Sequence, residues 1–218
     1  MTESHVFDAI DPDLASRVVA RRDLFRSSAL RLGALASAPM MLASVSSEAF
    51  GQSLPRQIVD ILNYALTLEY LEGSFYRVAL DQADLIPSHA LAVFQTIGKH
   101  EAAHVSTLKN ALGSAAVETP NFDFTAGGKY ADVFQNYETF IGVAQTFEDT
   151  GVAAFKGQLP SLTGHGEVLT TALKIHSVEA RHAAEVRHLR AERAWVGAFD
   201  KPMTKEQVLA VAKPFFAH

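Results

Sequence analysis

Four segments of the chain repeat apolar residues at intervals of three and four, the spacing that gathers side chains on one face of a helix. The first covers about residues 55–83, with Ile58, Ile61, Leu62, Ala65, Leu66, Phe75, Tyr76 and Ala79 on one stripe. The second begins near Ser88, after Pro87, and stops at Gly113, a residue suited to a helix C-terminus. Its stripe holds Leu91, Phe94, Ile97, Gly98, Leu108 and Leu112. The third covers about 131–155, with Phe134, Tyr137, Ile141, Ala144, Gly151 and Phe155, and the fourth about 167–196, with Val168, Ala172, Ile175, Val186 and Leu189. A short fifth helix is expected after Pro202, where Thr204-Lys-Glu-Gln207 reads as a capping box. The pattern predicts an all-α fold, a four-helix bundle with a short C-terminal helix.

The connections are uneven. A few residues around Leu85-Ile86-Pro87 join helices one and two, and Gly157 to Gly164 join helices three and four, so each pair reads as antiparallel neighbours. Between helices two and three lies a long stretch, 114–129, with Phe122 and Phe124 among its polar residues. Those two aromatics predict that this crossover packs on the bundle.

Residues 1–50 have a different character. Arg21-Arg22-Asp23-Leu24-Phe25-Arg26 precedes a short apolar run rich in Ala and Ser, followed by small residues up to Gly51. This resembles a twin-arginine export signal, with cleavage after Ala49 or Gly51. The expected organisation is therefore an export signal over 1–50 and one bundle domain over 51–218, placed in the periplasm or outside a bacterial cell. The twin-arginine export machinery is then an expected partner. With 218 residues and 48% hydrophobic content, the chain has material for one substantial core. A net charge of −5 gives no reason to expect nucleic acid, and the absence of Cys removes disulfides and thiolate metal sites.

The apolar stripes are interrupted by acids. Glu69 falls on the first, Glu101 and His104 on the second, Glu148 on the third, and Glu179 and His182 on the fourth. Glu101-Ala-Ala-His104 and Glu179-Ala-Arg-His182 each place a carboxylate and an imidazole one turn apart on one helix face. The intervals Glu69 to Glu101 and Glu148 to Glu179 are nearly equal, so within each hairpin the two glutamates come to similar heights. The longer interval from Glu101 to Glu148 is absorbed by the crossover. Four inward carboxylates repel one another and are costly to bury without compensation. Two divalent metal ions would balance them with both histidines neutral. A Glu from each of two helices and an ExxH pair from each of two others is a dinuclear carboxylate ligand set. Mixed oxygen and nitrogen donors suit iron or manganese. The expected cofactors are two iron ions, with manganese as the alternative.

The mature chain is similar to the exported ferritin-like proteins called desiccation-related. The stretches that carry the resemblance are Ala65-Leu-Thr-Leu-Glu-Tyr-Leu-Glu-Gly-Ser-Phe-Tyr76, Lys99-His-Glu-Ala-Ala-His104, Phe147-Glu-Asp-Thr-Gly151, Val178-Glu-Ala-Arg-His182 and Lys201-Pro-Met-Thr204. The resemblance implies a ferritin-like four-helix bundle with one long crossover between helices two and three. Many ferritin-like sites carry an Asp directly before the ExxH glutamate, where it orients a metal-bound histidine; here those positions are His100 and Val178. The leading functional expectation is a dinuclear centre that oxidises Fe(II), or consumes oxygen or peroxide, in protection against oxidative or desiccation stress. A dimanganese catalase is the alternative, although the chain lacks the long extra segments such enzymes carry. A third reading is a stress protein whose metals only staple the bundle. Glu72 reads equally as a further ligand or a partner for a histidine, and as a bundle-edge carboxylate meeting Arg77 or water. Tyr76 reads as a core residue with a satisfied hydroxyl, His176 as a polar core histidine, and His100, His165, His188 and His218 as surface residues.

Overall fold

The computed structural model describes residues 54–217; the export-signal reading of 1–50 lies outside the described residues. Among the described residues there are five α-helices and no strand: α1 (Arg56–Leu80), α2 (Ser88–Leu112), α3 (Tyr137–Gln158), α4 (Gly166–Leu189) and α5 (Lys205–Ala212). None of these helices is long and apolar enough to cross a membrane. α1 packs chiefly on α2, and α3 chiefly on α4; contacts of α1 with α3 and of α2 with α4 close the bundle. This is two hairpins joined by one long crossover, the wiring expected from the uneven loop lengths.

Two helix boundaries differ from the expected ones. α3 begins at Tyr137 instead of near residue 131. Asn136 is extended, and its side chain accepts a hydrogen bond from the Glu138 N–H, so the helix is capped there. Phe134 therefore belongs to the crossover, where it packs against Phe75 and Phe124 at 5.6 Å between ring centroids. α4 ends at Leu189 instead of near residue 196. Ala191 takes a left-handed conformation at φ 56°, which a continuing helix does not permit. Trp195 and Val196, beyond it, are exposed. Leu91, placed on the inward stripe of the second helix, is likewise 37% exposed.

The crossover is held at both ends. Near its start, the Asn63 side chain donates to the Ala115 carbonyl at 2.9 Å and accepts from the Val117 N–H at 2.8 Å. Further along, the Asp123 N–H donates to the Phe215 carbonyl at 2.9 Å, and the Ala217 N–H to the Asn121 carbonyl at 3.0 Å. The tail after α5 thus lies along the crossover, and Phe124 is buried with Phe75 and Phe215. The fifth helix starts with the expected capping box, Thr204 accepting from Gln207 N–H and Gln207 accepting from Thr204 N–H. Ahead of it, the Met203 N–H donates to the Ala153 carbonyl at 3.1 Å, and a side chain at Gly157 would collide with the Met203 carbonyl. Glycine at 157 is what lets the strap before α5 lie directly on α3.

The core consists of two apolar clusters. One is aromatic, built around Phe75, Tyr76, Phe94, Phe140 and Phe147. The other is largely aliphatic, with Ile58, Leu62, Leu66, Leu108, Leu162 and Ile175. Along each helix the interrupting polar residues fall between members of the two clusters: Glu69 between Leu66 and Phe75, Glu101 and His104 between Ile97 and Leu108, Glu148 between Ala144 and Phe155, Glu179 and His182 between Ile175 and Val186. A polar layer is thereby enclosed in an otherwise apolar bundle.

Candidate metal centre

All six sequence-predicted site residues meet in that layer, and all are buried: the four glutamates are fully so, His104 is 8% exposed and His182 4%. Two overlapping groups form. Glu69, Glu101, His104 and Glu179 bring ligand-type atoms within 4.8 Å of one another, and so do Glu101, Glu148, Glu179 and His182. Each group has one imidazole and three carboxylates, and Glu101 and Glu179 belong to both.

The shared glutamates split their oxygens. Glu101 turns Oε2 toward His104 Nδ1 at 3.3 Å and Oε1 toward His182 Nδ1 at 2.9 Å. Glu179 turns Oε1 toward His104 Nδ1 at 2.9 Å and Oε2 toward His182 Nδ1 at 3.8 Å. Glu69 approaches only His104, at 3.2 Å, and Glu148 only His182, at 3.4 Å. Two carboxylates are thus shared between the imidazoles, and one more approaches each imidazole alone.

These approaches do not satisfy the groups. Both oxygens of Glu69, Glu101 and Glu179, Oε2 of Glu148 and Nδ1 of both histidines lack a hydrogen-bond partner with acceptable geometry among the described residues. Buried polar atoms are ordinarily paired, and each unpaired one costs about 1–3 kcal/mol. So many buried donors and acceptors without a well-directed partner, gathered in two overlapping groups, fit the binding of metal ions. One glutamate is anchored from outside. The Tyr76 hydroxyl, fully buried, donates to Glu148 Oε1 at 2.5 Å. Burial first, and then Glu148, push the Tyr76 phenol well above its ordinary pKa, so it stays a donor.

Without metal, the histidines serve as the cations. Burial opposes charge on His104, but Glu69, Glu101 and Glu179 outweigh it and push its pKa well above 6.5. Burial is likewise overcome at His182, which Glu101 and Glu148 raise to about 12. For Glu101, the two imidazoles outweigh burial and lower its pKa to about 2. Burial raises Glu148 to about 8, helped by Glu179 and Glu101 against the opposing pull of His182. Burial and then Glu179 push Glu69 well above 4.5.

The remaining candidates separate. Glu72 is buried beside the layer. His176 is only half-buried and belongs to neither group. His188 is exposed, as expected, and His165 is half-exposed at the N-cap of α4. His100 is exposed, as expected, and in addition its Nδ1 lies 2.9 Å from His182 Nε2, on the far side of the ring from the glutamates. Were His182 Nδ1 bound to a metal, its proton would sit on Nε2 and His100 would accept it, the role expected of an Asp at this position. Val178, its counterpart on α4, has no polar side chain to offer His104. The signal for His100 was its place directly before Glu101. Its contact depends on how α2 and α4 are rotated against each other, which neither stripe records.

The ferritin-like domain family matches residues 57–192, a span that includes all six site residues. The chain belongs to that family. No match was found among curated proteins. The ferritin-like match ends at residue 192, shortly beyond α4, so the strap, α5 and the tail are additions to the matched region.

Proposed function

We propose that this ferritin-like chain is an exported dinuclear metal protein that takes Fe(II) as substrate and consumes oxygen or peroxide, protecting its compartment against oxidative or desiccation stress. The observation that carries the reading is the division of Glu101 and Glu179 between His104 and His182. Two carboxylates shared by two imidazole-bearing groups would hold two ions close together. Glu69 with His104 would complete one ion's protein ligands, and Glu148 with His182 the other's. Two iron ions so held would supply two electrons together, enough to take oxygen to hydrogen peroxide or peroxide to water.

The residues' own contributions follow from their surroundings. The aromatic and aliphatic clusters on either side exclude bulk water from the layer. Tyr76 fixes Glu148 through its second oxygen, and His100 fixes the ring of His182. His104 has no such backing from Val178, so its ring is the less constrained of the two.

The test is stopped-flow absorbance in the near ultraviolet on iron-reconstituted wild type and Glu148→Ala. Wild type should oxidise Fe(II) over many turnovers. The variant should retain some metal through the two ExxH pairs yet turn over at least tenfold more slowly, a barrier increase of about 1.4 kcal/mol. Oxygen release from peroxide by manganese-loaded protein, with no Fe(II) turnover, would favour the catalase reading. Two bound metals with neither activity would leave the stapled structural protein. Export is tested separately: Arg21→Lys with Arg22→Lys should leave uncleaved precursor inside the cell, and normal cleavage and export of that variant would refute it.

A further inference from the structure

Glu72 is a fifth buried carboxylate. It is 3% exposed, one turn beyond Glu69 on α1, and has no ion pair among the described residues. Its surroundings offer it no cation. The Thr150 hydroxyl, in the wall beside it, donates to the Thr146 carbonyl at 2.6 Å. Where α5 closes the same wall it presents Val211 and Ala212. Neither histidine approaches Glu72 within ion-pair distance.

What Glu72 does face is the layer. A Cβ placed on Gly151 would stand 3.0 Å from Glu72 Oε1 and 3.5 Å from Glu179 Oε2. The two carboxylates therefore share one gap on α3, and the gap exists because residue 151 has no side chain. Both Glu179 oxygens are themselves unpaired. Two divalent ions compensate Glu69, Glu101, Glu148 and Glu179 and leave Glu72 over. A centre holding one trivalent and one divalent ion compensates all five.

We infer that Glu72 is a further ligand of this centre, drawn upon when an ion is trivalent, and that it sets the site's preference for the oxidised metal. The inference rests on the metal-binding reading above and deepens it. Glutamine at 72 keeps the shape of the side chain and removes its charge, so it separates a ligand from a neutral packing residue. The measurement is a mediated redox titration of the iron-loaded full chain, with iron per chain determined on the same samples. Glu72→Gln should keep two irons and raise the midpoint potential by at least about 59 mV, a tenfold loss of relative affinity for the trivalent ion. Glu72→Asp, which keeps the charge, should recover part of the shift.

An unchanged potential in Glu72→Gln with two irons bound overturns the inference and leaves the dinuclear reading standing. Wild type that binds no iron overturns both. If the glutamine variant does not fold, Glu72→Asp decides, because the shorter side chain keeps the charge and withdraws its oxygens from the centre. A raised potential there supports Glu72 as a ligand, and an unshifted one overturns it.

Discussion

Glu101 and Glu179 each serve two imidazoles, whereas Glu69 and Glu148 each serve one, so the six residues are not equivalent. Removing a shared carboxylate takes an oxygen from both groups and leaves two charged histidines with fewer partners. Glu101→Ala should therefore abolish most of the rise in melting temperature that Fe(II) or Mn(II) gives the metal-free protein. Ligand linkage makes that rise worth about 4 kcal/mol at a thousand times the dissociation constant. Glu118→Ala, in the exposed crossover, should keep it in full. Thermal melts of both variants with and without metal make the comparison; an equal metal response in the two would place binding elsewhere. These buried positions were legible because acids on an apolar stripe are an anomaly visible within a single helix. His100 was not, because its partner lies on another helix and its own side of α2 is exposed.

At the scale of elements, boundaries were harder to read than faces. The apolar residues at Phe134 and at Trp195 and Val196 prolong the periodic pattern past both true helix ends. Asn136 and the left-handed Ala191 decide where the backbone stops being helical. Phe134 is apolar because it packs with Phe75 and Phe124 from the crossover, so its hydrophobicity reports tertiary contact and not helix. The cap has a checkable worth. Asn136→Ala removes the acceptor for the Glu138 N–H and should lower stability by about 1 kcal/mol. Glu148 lies some three turns into α3, so metal stoichiometry should not change. Urea unfolding and elemental analysis of the variant test the two halves; a loss of metal would mean that the α3 start positions Glu148.

For the whole molecule, the polar layer makes stability depend on pH in a direction that reveals whether metal is bound. In the metal-free protein, burial and neighbouring glutamates hold Glu148 at about 8 against 4.5 for a free carboxyl. Burial opposes the charge on His182, but Glu101 and Glu148 still carry it to about 12 against 6.5. Both shifts are upward, so each group's contribution is complete below its unfolded value and is lost as pH rises toward its folded one. Between pH 6.5 and 8 the folded chain holds more protons than the unfolded chain, and each excess proton removes about 1.4 kcal/mol of stability per pH unit. His104 acts in the same sense, since burial there is outweighed by Glu69, and so do Glu69 and Glu72, which burial and then Glu179 raise. His100 and His176 are lowered, chiefly by burial, and so act below this window. The metal-free protein should melt progressively lower from pH 6.5 to pH 8. Metal must displace the protons on His104 and His182 to reach Nδ1, so its affinity rises with pH over the same interval. The gap between loaded and metal-free melting temperatures should therefore widen toward pH 8. Calorimetric scans of chelator-treated and reloaded samples across that range measure both curves. A metal-free protein that became more stable toward pH 8 would mean that the imidazoles are neutral there, and that something other than protons holds the four carboxylates together when the metals are gone.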